Sequence, residues 1–341
     1  MGSKYLGPRS PLRAAVALTA LVIVVLALWH RLGHRVDSSL AGVSLVTVHV
    51  PNTTDRLHTI WTVNGSSASG MQLEDKLGIA DRIDVYHNVS NLPGKSTILF
   101  AYRRSSCPDW NREHPDKLFS NSVFTSVLPA GGVYVDIGAC YGDTSVPLAI
   151  RADTVISFEP NPFSYKVLQL NAALNPGLDI RTHNLAAGDG RVSELTFTYG
   201  GDMCNGGVLG SWKDASTETA IKVKAVDIPS FLAKQYGKEL LQRISVIKID
   251  AEGFDSTIIR TLRPLTRHSR FVLLVEWFDY FVTSPPHGNE GPEGVHPGAK
   301  ELFDAIAALG YEPFDPISGA RVPGPQNKHK VPDLLCRPVG A

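Results

Sequence analysis

The sequence predicts an α/β protein built on a doubly wound, largely parallel sheet, preceded by a small β-rich elaboration and one apolar N-terminal segment. Three observations carry this. From Val133 onward, short apolar runs alternate with helical patterns, the order that produces parallel strands with crossover helices. The stretch VYVDIGACYGDTSVPLAIRADTVISFEPN, Val133 to Asn161, reads as strand, glycine loop, helix and second strand. Its two strands end in acids, Asp136 and Glu159, at the edge where open α/β sheets collect ligands.

The elements follow in order. Between Leu45 and Arg104 the runs LVTVHV, HTIWTV, RIDVYHNV and STILFAYRR alternate with turn signals such as Asn64-Gly65 and Pro93-Gly94, which predicts an antiparallel elaboration. The main strands are VYVDI, TVISFE, DIRTHN, VIKID and FVLLVE. Helices are expected over Asp143–Ile150, Pro162–Leu174, Ile228–Tyr236 and Phe254–Leu262. Asn161 before Pro162 is a helix start signal, so Asn161 is expected to cap. Glu194–Tyr199 and Ile221–Val226 read as a hairpin pair inserted after the third strand. A late helix, Ala299–Leu309, ends at Gly310, and Tyr311–Phe314 adds a final strand. Ser284–Pro297 and Pro316–Val331, rich in Pro, Gly and His, are expected as loops, and the glycine-rich loop Gly200–Trp212 as a lid, an acceptor-binding loop or a surface excursion.

The first loop points to a nucleoside. Gly138 allows a close backbone approach, and Glu159 can accept from both hydroxyls of an adenosine ribose. The spacing is G-x-x-x-G, so it is not the dinucleotide fingerprint. Asp136 would repel a pyrophosphate and suits a ligand carrying an ammonium group. S-adenosyl-L-methionine has an ammonium, a sulfonium and a ribose, and no phosphate. The purine would lie against Phe158, Pro160 and Ala186-Ala187, with His183 and Asn184 nearby.

The set DIGACYG, FEPNP, LNAALN, NLAAGDG, IKIDAEGFD and LLVEW, from about Asn121 to Trp277, resembles the FkbM family of S-adenosylmethionine-dependent methyltransferases. The Ala139-Cys140-Tyr141 stretch departs from the commoner loop of that family. The resemblance implies a Rossmann-like class I methyltransferase sheet closed by an antiparallel strand, over residues 118–341, and transfer mostly to oxygen. It implies cofactor contacts from Asp136, Gly138, Ala139, Tyr141, Gly142, Glu159, Pro160, Asn161, Ala186 and Asp250.

Methyl transfer from a sulfonium needs alignment and, for a hydroxyl acceptor, a base. Alternation places Lys248, Asp250 and Glu252 on one face if the strand persists that far. Two acids so close would raise one pKa, as a working base requires, and they could equally hold a divalent cation. Glu252 could instead cap the next helix. Glu276, at another strand tip, is expected to orient the acceptor or to make a salt bridge. Lys248, Asp250, Glu252 and Glu276 are therefore the candidate catalytic residues, and no metal site is expected.

Composition bounds the rest. The 341 residues carry 33 basic and 33 acidic side chains, which offers no bulk attraction for nucleic acid. Four cysteines, Cys107, Cys140, Cys204 and Cys336, show no zinc spacing, and Cys140 is expected as a buried thiol. An uncharged run, Ala14 to Trp29, follows Lys4, Arg9 and Arg13. It is short of the ~20 residues of a full span, but Leu12 and snorkelling Arg13 and Arg31 extend it. No small-x-small cleavage site follows, so a signal anchor over 12–31 is expected rather than a cleaved peptide. Sequons at Asn52, Asn64 and Asn88 suit a lumenal stem over 32–117. The expected protein is thus a single-pass membrane enzyme of the ER or Golgi, with a cytosolic tail over 1–11, acting on a small-molecule or glycan acceptor. Two other readings stay open: a lumenal glycosyltransferase using Asp250 and Glu252 as a D-x-D-like metal site, and an inactive binding module on the same scaffold.

Overall fold

A computed structural model describes residues 43–49, 58–63, 85–92, 95–102, 127–199, 206–208, 219–276, 297–325 and 333–340. The chain divides into two compact units, 1–80 and 81–341. In the first, β1 (Val43–His49) pairs antiparallel with β2 (His58–Val63), slipping register between Leu45 and Thr47. The expected anchor over 12–31 lies outside the described residues, among which no helix is long and apolar enough to cross a membrane.

The second unit contains the antiparallel pair of β3 (Val85–Leu92) and β4 (Lys95–Tyr102), with Leu92 opposite Lys95. Its main body is a sheet of seven strands: β5 (Val133–Ile137), β6 (Thr154–Phe158), β7 (Ile180–His183), β12 (Ile244–Ile249), β13 (Val272–Glu276), β14 (Tyr311–Phe314) and β15 (Asp333–Pro338). Their spatial order is β14-β15-β13-β12-β5-β6-β7. β15 runs antiparallel to both neighbours, and β12, β13, β5, β6 and β7 run parallel. All five residues of β5 and of β6 are buried, as expected of parallel strands covered on both faces.

The crossover helices are α1 (Ser145–Leu148), α2 (Pro162–Leu174), α3 (Ile228–Leu241), α4 (Asp255–Thr261) and α5 (Pro297–Leu309). Asn161 caps α2 by accepting from the Phe163 amide at 2.9 Å, with Pro162 at the first helical position. α3 breaks at Gly237, where φ is 80° and ψ 175°, and Gly310, at φ +88°, ends α5. Ile247, Ile249, Phe158, Leu232, Ile259 and Leu273 belong to one continuous core. A smaller sheet, ordered β10-β9-β11-β8, contains β8 (Ala186–Ala187), β9 (Glu194–Tyr199), β10 (Gly207–Val208) and β11 (Thr219–Val226). β9 and β11 form the expected inserted hairpin, and β8 joins the end of β11 in parallel.

Candidate active site

A cleft opens at the carboxyl ends of β5, β6 and β12, enclosing about 650 Å³, part of it open to solvent. The backbone builds it first. After β5 the chain turns at Gly138, whose φ is +79°, and the Gly138 and Ala139 amides both donate to the Phe158 carbonyl at 3.0 Å. The turn after β12 lies directly against it: the Asp250 amide donates to the Ile137 carbonyl at 3.0 Å. Among the described residues, Cys140 (φ 45°) and Glu252 (φ 51°) are the two non-glycines at positive φ, and both line the cleft. Backbone strain of this kind gathers at functional sites.

Glu159 occupies one end. Its Oε2 accepts from the Cys140 amide at 2.8 Å and its Oε1 from the Asn161 amide at 2.7 Å. Each oxygen keeps lone-pair capacity toward the cleft, which Glu159 also lines. Burial pushes its carboxyl up to about 8, against the pull of these two amides. Asn184 holds the same strand tip through its side-chain amide, which donates to the Glu159 and Pro160 carbonyls at 2.8 and 3.0 Å. Beside Glu159 the walls are flat and apolar, with Phe158, Pro160, Leu185, Ala186 and Ala187. His183 stands behind that wall, its ring stacked on Phe158 at 5.2 Å and its Nε2 2.7 Å from the Tyr236 hydroxyl.

The other end is acidic. Asp250 and Glu252 line the cleft. Lys248, 3% exposed, sits beneath them with its ammonium 3.0 Å from Asp250 Oδ2, 3.2 Å from the Gly138 carbonyl and 3.6 Å from Asp136 Oδ1. Burial alone would lower the Lys248 pKa, but Asp250, Asp136 and Asp143 outweigh it and raise it well above the usual lysine value. The ammonium is thus a fixed counterion. Asp136, fully buried, accepts from Thr144 Oγ1 at 2.8 Å and Ser145 Oγ at 2.6 Å on its second oxygen.

The structure separates the sequence-derived candidates into two groups. Gly138, Glu159, Pro160, Ala186, Asp250 and Glu252 line the cleft. Asp136, Ala139, Tyr141, Gly142, Asn161, Lys248 and Glu276 are not among the residues that line it. One expectation is corrected: the strand ends at Ile249, so the alternation that aligned Lys248, Asp250 and Glu252 does not reach Glu252. The residue at the cap position of the next helix is Phe254. Asp255, buried at the first position of α4, accepts from the Ala251 and Gly253 amides at 2.9 and 3.0 Å and folds that turn. Cys140, expected as a buried thiol, is half-buried on the cleft wall, whereas Cys336 is fully buried. Cys107 and Cys204 lie outside the described residues.

Several lining residues escaped the sequence: Ser164 from α2, Phe254 and Ile258 at α4, and Phe197 from β9, whereas Gly206 and Val208 belong to the glycine-rich loop expected as a lid or acceptor-binding loop. Gly206 packs on the Phe197 ring so closely that a Cβ would lie 2.4 Å from it. Among the described residues, no group of three or more His, Cys, Asp or Glu is arranged to hold a metal ion.

Comparison with known proteins places this geometry. The methyltransferase FkbM domain profile matches residues 136–313. No curated protein matches significantly. Among solved structures, the methyltransferase FkbM of Methylobacillus flagellatus KT is similar at 15% identity and TM-score 0.36, over 68% of this chain and 52% of its own. The chain therefore spans about half the length of that protein. The ribosomal protein L11 methylase of Lactobacillus delbrueckii subsp. bulgaricus is similar at 14% identity and TM-score 0.32, over 66% and 79% of the two chains. The tRNA (uracil-54, C5)-methyltransferase of Pyrococcus abyssi, in complex with S-adenosyl-L-homocysteine, is similar at 12% identity and TM-score 0.34, over 74% and 43%. Likenesses this distant carry no argument about acceptor or chemistry.

Proposed function

The chain belongs to the methyltransferase FkbM domain family, and we propose that it is an S-adenosylmethionine-dependent O-methyltransferase acting on a hydroxyl of a sugar or another small acceptor. The observation that carries this is Glu159. Its two oxygens are fixed by the Cys140 and Asn161 amides at the rim of an apolar slot, the arrangement a ribose diol and a purine call for.

The residues present fit the cofactor. The donor set divides into a diol acceptor, flat apolar walls and an acidic end, matching ribose, adenine and the cationic sulfonium and ammonium groups. Glu159 would hold the ribose, Pro160, Leu185 and Ala186 would flank the base, and Asp250 and Glu252 would face the cationic end. S-adenosylmethionine supplies an already activated methyl group, so the protein's task is alignment and disposal of a proton. Charge supports a hydroxyl acceptor: among the described residues that line the cleft there is no Lys, Arg or His to neutralise a carboxylate or phosphate. Asp250 and Glu252 can instead accept a hydrogen bond from a hydroxyl.

Incubating the protein with methyl-labelled cofactor and glycan or metabolite extracts tests the reading. Label in products that resist mild alkali is expected, as for methyl ethers. Base-labile ester label, or label on nitrogen, would contradict it. The compartment proposed is the ER or Golgi lumen, behind an anchor over 12–31. The uncharged run there and the three sequons support it, with Asn88 on β3. Loss of mass on glycosidase treatment of the cell-expressed protein is expected, and an unmodified protein would count against this placement.

A further inference from the structure

The smaller sheet, β10-β9-β11-β8, sends Phe197, Gly206 and Val208 to the cleft wall. Its pairings fix which end they reach. β8 follows directly on His183 and Asn184, which hold the tip of β6. The Glu159 amide donates to the His183 carbonyl at 3.0 Å, and the Asn184 side chain donates to the Glu159 and Pro160 carbonyls. Ala186 of β8 lies beside Ala225 of β11. Ile221 of β11 and Val208 of β10 both lie opposite Phe197 of β9. Strand alternation puts these side chains on one face, and Ala186, Ala225, Val223 and Phe197 form one buried apolar cluster. Phe197 is therefore tied through Ala186 to the Glu159 end of the cleft, and not to the tip of β12.

The ring is also held in one place. Phe197 is 5% exposed, and Gly206 lies against the far edge of its ring. A Cβ on Gly206 would lie 2.4 Å from Phe197 Cζ and 2.5 Å from Cε1, with the Thr198 carbonyl oxygen 3.2 Å away on backbone that cannot turn aside. The ring keeps its position because residue 206 has no side chain.

We propose that the inserted sheet supplies a wall of the adenine slot, with the Phe197 ring lying against the purine face and Gly206 as the positioning residue that keeps the ring there. This rests on the S-adenosylmethionine reading of the cleft above. A purine presents a flat π-face, on which an aromatic ring stacks with more contact than the methyl groups of Ala186 and Ala187 provide. Val208, buried beside Phe197, keeps water from the same wall. Glu159 then holds the ribose and Phe197 the base, so both contacts select the adenosyl group and neither touches the methyl group to be transferred. The inserted sheet thus serves cofactor affinity, and choice of acceptor is left to the end of the cleft that carries Asp250 and Glu252.

The test combines proton NMR and calorimetry on the full chain, with S-adenosylhomocysteine and adenosine as probes. In the wild-type complex the adenine ring protons are expected to move upfield and to show nuclear Overhauser contacts to a phenylalanine ring that disappear in Phe197→Leu. Phe197→Ala should weaken both probes by the same factor, about tenfold, as loss of one base–aromatic stack implies. Phe197→Leu, which keeps the apolar cluster filled, should weaken both in the same direction. Gly206→Ala should weaken adenosine binding when Phe197 is present and add little in the Phe197→Ala background, since its effect passes through the ring. Adenine protons without such contacts in a complex that does form, or affinity unchanged in Phe197→Leu, overturns the adenine wall alone. Unchanged probe binding with a raised acceptor KM in Phe197→Leu would also overturn it, by placing the ring at the acceptor. A wild type that binds neither probe overturns the methyltransferase reading, and this inference with it.

Discussion

Gly138 carries φ +79°, and a Cβ built on it would lie 1.7 Å from the Asp250 carbonyl oxygen. The glycine is needed because the turn after β12 lies on it, a reason the sequence did not disclose; closeness to a ligand was the expectation. Glu159 and Asn161 were legible, since a strand-tip acid and an Asn-Pro start are local signals. Asp255 was not, because its partners are amides of a turn whose shape the sequence does not reveal. The buried acids also predict a pH dependence. Burial raises Glu159 to about 8, Asp143 to about 7, and Asp255 and Asp333 to about 6. With the folded pKa above the unfolded one, the folded state binds more protons in between, so stability falls as pH rises from about 4 toward 8. The ligand-free protein should therefore melt lower at pH 8 than at pH 5.5, with a shallower slope in Glu159→Gln. A melting temperature that rises across this window would contradict the assignment.

Among the elements, continuous apolar runs read correctly because parallel strands are buried on both faces, and β5, β6, β12 and β13 are such strands. The expected helix over Asp143–Ile150 shrinks to Ser145–Leu148 as Thr144 and Ser145 turn their hydroxyls to Asp136. The expected end of α3 at Tyr236 falls one residue before the Gly237 break, beyond which a further turn runs to Leu241. β15 was missed. Its apolar stretch is only Leu334, Leu335 and Cys336, close to prolines, and its place between β13 and β14 is decided by pairing with strands far away in sequence. The inserted hairpin was visible as strands. Its role was not, because Phe197 and Val208 meet Glu159 and Asp250 around the cleft only through tertiary packing.

At the scale of the second unit, the order β14-β15-β13-β12-β5-β6-β7 brings the ends of β5, β6 and β12 side by side. That placement sets the diol acceptor, the apolar slot and the acidic end around one space, and it is why a chain with no net charge can present an acidic site. The central claim is that this space holds an adenosyl cofactor with its ribose on Glu159. Titrating S-adenosylhomocysteine into wild-type and Glu159→Ala protein by calorimetry tests it most directly. The account predicts binding by the wild type, with affinity in the variant lower by tenfold or more, as loss of two hydrogen bonds of about 1 kcal/mol each implies. Equal affinity in the two proteins, or no binding by the wild type alongside manganese-dependent binding of a nucleotide sugar, would contradict it.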